Sequence, residues 1–586
     1  MYAIHRHNQV CRGKKTVLPR LELLEDRSLP APLLLGMSGA GSNPWASIHH
    51  FIVIYQENWS FDSLYGYFPG ANGLSNAGDT IPQYDKVTGA QITTLPQPLN
   101  NGQPDPRFPA DLPVAPYDMN RYVPNDQTTG DIVHRYYQEQ SQIAGGTMGG
   151  FVSWSDNGGL VFSYVDATNL PEGQLAQQYV MADNMFHSAY GGSFLNHMFL
   201  AAAAAPYFPN PPDSARPALD ENGNLLLDDQ GNIVHDGSVT PDNYAVNTTY
   251  SVNLVPPFVR DPTTLLPSLN DNNPAGAHYI PTLGDRLSAQ HVSWKWYSGG
   301  WNDALAGRAD PLFQWHHQPY AYFNNFAPGT VGRAAHLQDE QEFFSDLNGD
   351  NLPAVSFIKP LGPDNEHPGY DNLIRGQQHV ASIVQAVQNS SAWDSTAIII
   401  TYDENGGRWD HVAPPSIDRW GLGTRVPGII ISPHARTGVV DSTQYETLSI
   451  DKTIEEAYGL DPLTDRDANA NSFLNAFDFG GGAPHGNPHS PQGTPVLTPA
   501  VVDAILSGSH TPLRNVVALP GTIAGTISDA GPGQDLASQQ LGESASTSSQ
   551  RDLIGGGSAI RLSHSVSVDA LDTLADAVLV QTGLGS

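Results

Sequence analysis

Two short polar segments close apolar, β-branched runs that lie far apart in the chain. Glu57 and Asn58 follow HHFIVIYQ, and Asp403 and Glu404 follow AIIITY. Carboxylate and amide oxygens of this kind are the usual ligands of a hard divalent cation. Alone, Glu57–Asn58 reads as a turn or helix cap at a strand end. The Asp403–Glu404 pair is more telling, because neighbouring carboxylates repel each other unless a cation compensates. Gly406 and Gly407 then let the backbone turn close to a ligand. Asp410, His411 and the stiff Pro414–Pro415 complete the segment YDENGGRWDHVAPP.

A third segment, HSAYGGSFLNHMFLAAAAA, places Ser193 after two glycines and before a helix-favouring run. Such a serine serves either as an N-cap or as a nucleophile beside helix amides that bind an anion. The residues alone leave both readings open. Asn196 and His197 lie one turn further on and are expected to face the same side. Four histidines at three scattered sites follow: His134, the His316–His317 pair and His367. A lone histidine is more often structural than catalytic. A site that transfers a phosphoryl group does need donors for the phosphoryl oxygens and an acid for the leaving group.

The elements that must hold these residues are strands and helices in alternation. HHFIVIYQEN, AIIITYDEN (397–405) and VPGIIISPHA (426–435) read as short buried strands, which implies a sheet covered on both faces. Residues 376–393 and 448–460 carry helical apolar spacing, giving a β-α-β pattern. In such sheets the active site lies beyond the carboxyl ends of the strands, where both acid pairs sit. Residues 206–275 are rich in Pro, Asn, Asp and Gly and read as an inserted, turn-rich subdomain. DLNGDN (346–351, with Asp346, Asn348 and Asp350) imitates a calcium loop but lacks the rest of that motif, so a plain turn is expected.

Composition sets outer limits. The chain has 586 residues, 59 acidic against 27 basic, and a formal net charge of −32. That field disfavours nucleic acid and anionic membrane surfaces. A phosphate substrate then needs positive charge supplied inside its pocket, which a metal provides locally. Cys11 is the single cysteine, so neither an intrachain disulfide nor a cysteine zinc site is available. No apolar run is long enough for a membrane span. The domain reading is a leader over 1–46, a catalytic domain over 47–515 and a flexible, low-complexity tail over 516–586. The leader RLELLEDRSLPAPLLLG is too short in its apolar part for an ordinary signal peptide. It resembles the leaders of exported bacterial surface proteins, and export is expected.

QENWSFD, GGSFLNH, NEHPGY and YDENGG-x-WDHV-x-PP, in this order, resemble the bacterial phosphoesterase family of acid phosphatases and non-haemolytic phospholipases C. The resemblance covers about residues 48–480. PDNYAVNT (241–248) and PAVSFIKPLGPDNEHPGY (353–370) are closer to the acid-phosphatase branch, and Ser193 stands where the phospholipases typically carry threonine. The resemblance implies an α/β fold of the alkaline-phosphatase-like type, a three-layer α/β/α sandwich with a mostly parallel sheet. It implies one divalent metal (Ca, Mg, Mn, Zn or Fe) on Glu57, Asn58, Asp403, Glu404 and Ser193. Ser193 would be the nucleophile, with His134, His367 and one of His316 or His317, here His317, lining the phosphate pocket. The substrate would be a small or lipid phosphate ester. The expected activity is phosphate monoester hydrolysis through a phosphoserine. Phospholipase C action on diesters is the alternative, and a non-catalytic surface protein of degenerate phosphatase fold is the alternative of another class.

Overall fold

A computed structural model describes residues 43–78, 81–270 and 276–480. The leader and the tail expected from sequence lie outside the described residues, apart from 43–46.

Eight strands form the central sheet: β1 (His50–Gln56), β2 (Val180–Ala182), β3 (Trp294–Ser298), β4 (Leu337–Asp339), β5 (Val355–Lys359), β6 (Thr396–Tyr402), β7 (Gly428–Ile431) and β8 (Val439–Asp441). Their order across the sheet is β8-β2-β7-β6-β1-β5-β3-β4. All neighbours are parallel except β7, which runs against both β6 and β2. The run GIII is equally apolar in either direction, so the sequence pattern carries no sign of this reversal.

The middle of the sheet is buried on both faces. Phe51 through Tyr55 of β1 and Ala397 through Tyr402 of β6 are all at most 1% exposed. Alternate residues of a strand point to opposite faces. On one side, Tyr55 packs its ring on His197 of a helix Ser193–Ala202, and Phe51 packs on Tyr458 of a helix Leu448–Tyr458. On the other side, Tyr402 reaches Glu172 of a helix Pro171–Gln178. Gln377, from a helix Leu373–Gln388, lies on that same side. The result is the three-layer α/β/α sandwich, with mostly parallel strands, expected above.

The helix Leu373–Gln388 buries Val380, Ile383, Val384 and Val387 at helical spacing. Its His379 meets Glu340, Nε2 to Oε1 at 2.5 Å, and both side chains are nearly buried. Burial disfavours the charged ring, but the Glu340 carboxylate more than offsets this and lifts the His379 pKa to about 9. A raised histidine pKa stabilises the fold fully below its unfolded value, about 6.5. That contribution, up to about 3 kcal/mol, is lost as pH climbs from about 6.5 through about 9. Thermal unfolding of the wild type is therefore expected to weaken over that window. A His379→Gln variant should start lower and show a flatter profile, and an identical slope in both proteins would refute the assignment.

Asp346 does not build a calcium loop. It pairs with Lys295 Nζ at 2.5 Å and accepts the Tyr297 hydroxyl at 2.6 Å. Residues 206–270 contain neither an α-helix nor an extended strand and are held by isolated bridges such as Leu219–Leu225 and Leu227–Ile233. This arm is clamped to the body by Arg135, which donates to Asp236 at 2.6 and 3.0 Å and to the Gly237 carbonyl. Asn247 adds to the clamp by accepting the Tyr136 amide.

Candidate active site

Gln56 is in register with Tyr402 on adjacent parallel strands, so Glu57 and Asp403 emerge side by side at the carboxyl ends. The Asp403 amide donates to the Gln56 carbonyl at 3.0 Å, carrying the pairing one residue further. Asn58 turns the chain with φ +69°, a conformation asparagine tolerates. Gly406 and Gly407, both at positive φ, pass against the backbone of Asn58 and Val133. A Cβ would lie 2.4 Å from the Asn58 carbonyl oxygen at the first and 2.6 Å from that of Val133 at the second.

Each carboxylate of the second pair spends one oxygen on this turn. Asp403 Oδ1 accepts the Glu404 amide at 2.9 Å, and Glu404 Oε2 accepts the Gly406 amide at 2.6 Å. Asp403 Oδ2, Glu404 Oε1 and Asn58 Oδ1 are left buried without a hydrogen-bond partner. Unpartnered buried oxygens are costly. Here they are the donor type a hard cation takes.

One residue of this cluster escaped the sequence reading. Lys359 closes β5, fully buried, in register with Tyr55 through the Ile54–Ile358 pair before it. Its Nζ lies 2.6 Å from Glu57 Oε1 and 3.9 Å from Asp403 Oδ2. The signal was present: a lysine ending an apolar strand, as the acids end theirs. Three carboxylates and one ammonium leave a formal −2, which a divalent cation matches. Burial would raise the Glu57 carboxyl, but His317 and Lys359 beside it hold it well below the ordinary carboxylate range. Burial raises Asp403 to about 6 against the pull of Lys359. It lifts Glu404 well above the ordinary range, with His134 opposing.

Ser193 is the first residue of its helix, and Gly192 holds the cap position with no side-chain cap bond. The N-cap reading of Ser193 therefore fails. The nearby Ser193 hydroxyl favours the charged form of Asp403. Gly191, at φ +86°, lets this turn press against the Tyr136 amide, which a Cβ would approach to 2.4 Å. Asn196 does not face the pocket. Its amide is spent on the turn, donating to the carbonyls of Ala189, Gly191 and Gly192 and accepting the Ala189 amide. His197 Nδ1 donates to the Ser193 carbonyl at 2.7 Å, and its ring stacks on His317 at 4.9 Å.

The histidines named from sequence come together here. A pocket partly open to solvent is lined by Glu57, Ser193, His134, His316, His317 and His367. Both members of the 316–317 pair reach it, and His317 Nε2 lies 2.6 Å from Glu57 Oε1. Burial lowers the His317 pKa to about 4. His134 hands Nδ1 to the Ile132 carbonyl and turns Nε2 toward Glu404 Oε1, 3.7 Å away. His367 likewise gives Nδ1 to the Pro368 carbonyl, stacks on Tyr370 and turns Nε2 toward Glu57 Oε2 at 4.0 Å.

Two other His/Asp groups are close-set among the described residues, Asp131–His134–His367 and Asp62–Asp410–His411. In the first, both Nδ1 atoms already serve backbone carbonyls. In the second, Arg425 is bound by Asp62 at 3.0 Å and by Asp410 at 2.9 Å, so Asp410 and His411 belong to a buried ion-pair network.

The model of the Phosphoesterase family matches residues 48–461. The chain belongs to the phosphoesterase family. Phospholipase C B of Mycobacterium tuberculosis is 24% identical over 516 residues, covering 77% of this chain and 82% of its own. Non-hemolytic phospholipase C of Pseudomonas aeruginosa is 22% identical over 70% of this chain and 54% of its own. Non-specific phospholipase C6 of Arabidopsis thaliana is 33% identical over 171 residues, 23% of this chain and 32% of its own. Among solved structures, an alkaline phosphatase superfamily protein of Vibrio parahaemolyticus overlays 52% of this chain and 63% of its own. Its TM-score is 0.29 with 11% identity. This phosphoesterase is thus an enzyme that hydrolyses phosphoric esters, which removes the degenerate, non-catalytic reading. No helix among the described residues is long and apolar enough to cross a membrane.

Proposed function

We propose that this phosphoesterase hydrolyses phosphate monoesters through a phosphoserine on Ser193. The observation that carries the reading is Ser193 itself. It opens a helix, lies beside Asp403 and faces a cavity ringed by histidines. Glu57, Asn58, Asp403 and Glu404, with Ser193, would hold one divalent metal. That ion would acidify the serine hydroxyl and offset phosphate charge.

The residues of the chain do the rest. The amides at the helix start face the phosphoryl oxygens. Ser193 Oγ, its proton released to solvent, attacks phosphorus in line while the bond to the leaving oxygen breaks. His367, protonated on Nε2, gives that proton to the departing alkoxide. His134, protonated on Nε2, donates to a phosphoryl oxygen, and His317 lines the pocket with its Nε2–H on Glu57. Water, giving a proton back to His367, then displaces Ser193 Oγ from phosphorus, and the serine takes up a proton from solvent, so two inversions leave net retention. Lys359 keeps Glu57 charged throughout.

The preference for monoesters is supported by the cavity wall. Val246, Asn247 and Thr248 line it, and they belong to the PDNYAVNT segment that resembles the acid-phosphatase branch. A second reading, phospholipase C action on diesters, is supported by the names of the relatives in three organisms. Turnover of p-nitrophenyl phosphate is expected to exceed that of p-nitrophenylphosphorylcholine by at least tenfold in kcat/KM, about 1.4 kcal/mol. The reverse preference would establish the diester reading. Export is proposed on the leader's resemblance, and recovery of the protein only from the cytosolic fraction of its host would exclude it.

A further inference from the structure

Three residues that immediately precede site residues meet on the far face of the sheet. Gln56 precedes Glu57, Tyr402 precedes Asp403, and Glu366 precedes His367. Gln56 and Tyr402 end their strands and turn to the face away from the cavity, and Glu366 reaches the same face from the loop that follows β5. Gln56 Nε2 donates to Glu366 Oε1 at 2.9 Å, and the Tyr402 hydroxyl lies 2.7 Å from Glu366 Oε2. Gln377 Nε2 adds a longer bond to Glu366 Oε2 at 3.4 Å.

Glu172, from the helix Pro171–Gln178, enters the same knot. Its Oε2 lies 3.1 Å from the Tyr402 hydroxyl, and its amide donates to Gln377 Oε1 at 3.1 Å. Glu172 is 0% exposed and Glu366 is 1% exposed. Among the described residues neither carboxyl has a lysine, arginine or histidine at ion-pair distance. Two unscreened anions do not coexist in such a place. Every amide or hydroxyl neighbour of Glu366 donates to it, so Glu366 is the anion. The Tyr402 hydroxyl has one proton and spends it on Glu366 Oε2 at 2.7 Å, so its 3.1 Å contact with Glu172 Oε2 requires that this oxygen carry a proton and donate to the hydroxyl. Burial and the neighbouring Glu366 raise the Glu172 carboxyl well above its ordinary range.

Glu366 also sits under backbone constraint. Its φ is +72°, unusual for a long side chain. Its amide donates to Asp371, its carbonyl accepts the Trp59 indole, and its neighbour Asn365 accepts the Glu57 amide and holds the His367 amide. Fixing the Glu366 carboxylate therefore fixes His367 on one side and Glu57 on the other.

We propose that Glu172 and Glu366 carry one proton between them, bridged by the Tyr402 hydroxyl, and form a positioning pair that sets His367 and Glu57 from behind the sheet. This rests on the role of His367 given above. Neither glutamate touches substrate.

The test is a double-mutant cycle on kcat. Glu366→Ala is expected to lower kcat about 100-fold, the size of a lost general acid. In a His367→Ala background the same change should cost about tenfold or less, the share that falls on Glu57, since one of the two groups being positioned is gone. Glu172→Gln, which can still donate to the Tyr402 hydroxyl, should stay within about threefold of wild type, whereas Glu172→Leu should fall with Glu366→Ala. Should the alanine variant fail to fold, infrared spectroscopy of the intact enzyme above neutral pH serves instead. It should show the carbonyl band of a protonated carboxyl that disappears in Glu172→Gln. Multiplicative losses in the cycle, a Glu172→Gln variant as poor as Glu172→Leu, or absence of the acid band would each overturn the pair. An active Ser193→Ala variant is a separate failure, one of the nucleophile assignment and not of the pair.

Discussion

Ser193→Ala lowers kcat by about 10⁴-fold or more, the scale on which covalent nucleophiles act, while leaving the thermal midpoint nearly unchanged. The two halves of this expectation come from the same geometry. The hydroxyl caps nothing, because Gly192 occupies the cap position and no side-chain bond closes the helix start. The turn is held instead by Asn196 and by the close fit of Gly191 against Tyr136. Loss of one oxygen there costs less than about 1 kcal/mol of stability. The chemistry, in contrast, loses the atom that attacks phosphorus. Steady-state turnover and thermal unfolding of the purified variant check both halves. Trapping of labelled phosphate on the wild type but not on Ser193→Ala checks the intermediate directly. Retained turnover would remove Ser193 from the mechanism.

The second large effect is expected at Asp403. Asparagine preserves the oxygen that accepts the Glu404 amide but replaces Oδ2, the atom left unpartnered in the site. The formal charge of the cluster then falls from −2 to −1, and an amide donor points where a cation would bind. Asp403→Asn should reduce bound divalent metal to near zero after dialysis and lower kcat by about 10²–10³-fold, equivalent to about 3–4 kcal/mol of lost charge stabilisation. Metal analysis and turnover before and after adding back Ca²⁺, Mg²⁺, Mn²⁺, Zn²⁺ or Fe²⁺ provide the measurement. Full metal content in the variant would place the cation elsewhere.

The acid pairs were legible because of how a parallel sheet works. A β-branched run that stops abruptly on carboxylates marks both a strand and its carboxyl end, and such ends share one edge of the sheet. Ser193 was legible as a position but not as a role, since a glycine-led serine suits a cap as well as a nucleophile until the cap residue is seen to be Gly192. His316 and His317 could not be separated from sequence, and both in fact reach the cavity. Lys359 and the Glu172–Glu366 knot were missed for a different reason. Their partners are separated by 302 residues in one case (359 − 57) and 194 in the other (366 − 172), so no local spacing announces them. The reversed strand β7 was invisible because an apolar run carries no direction.

The clamp between Arg135 and Asp236 joins two parts of the chain with different duties. The body supplies the reacting groups from strand ends and one helix start, all tied to the sheet. The arm supplies Val246, Asn247, Thr248 and Tyr250, which touch the cavity but take no part in the ligand cluster. The arm is therefore an exchangeable cassette. A change confined to this turn-rich segment is expected to alter which ester fits the cavity while leaving the reacting groups in place. Grafting the corresponding segment of a relative between residues 206 and 250, with Arg135 and its acidic partner kept as the seam, is the economical way to move this scaffold from one ester to another.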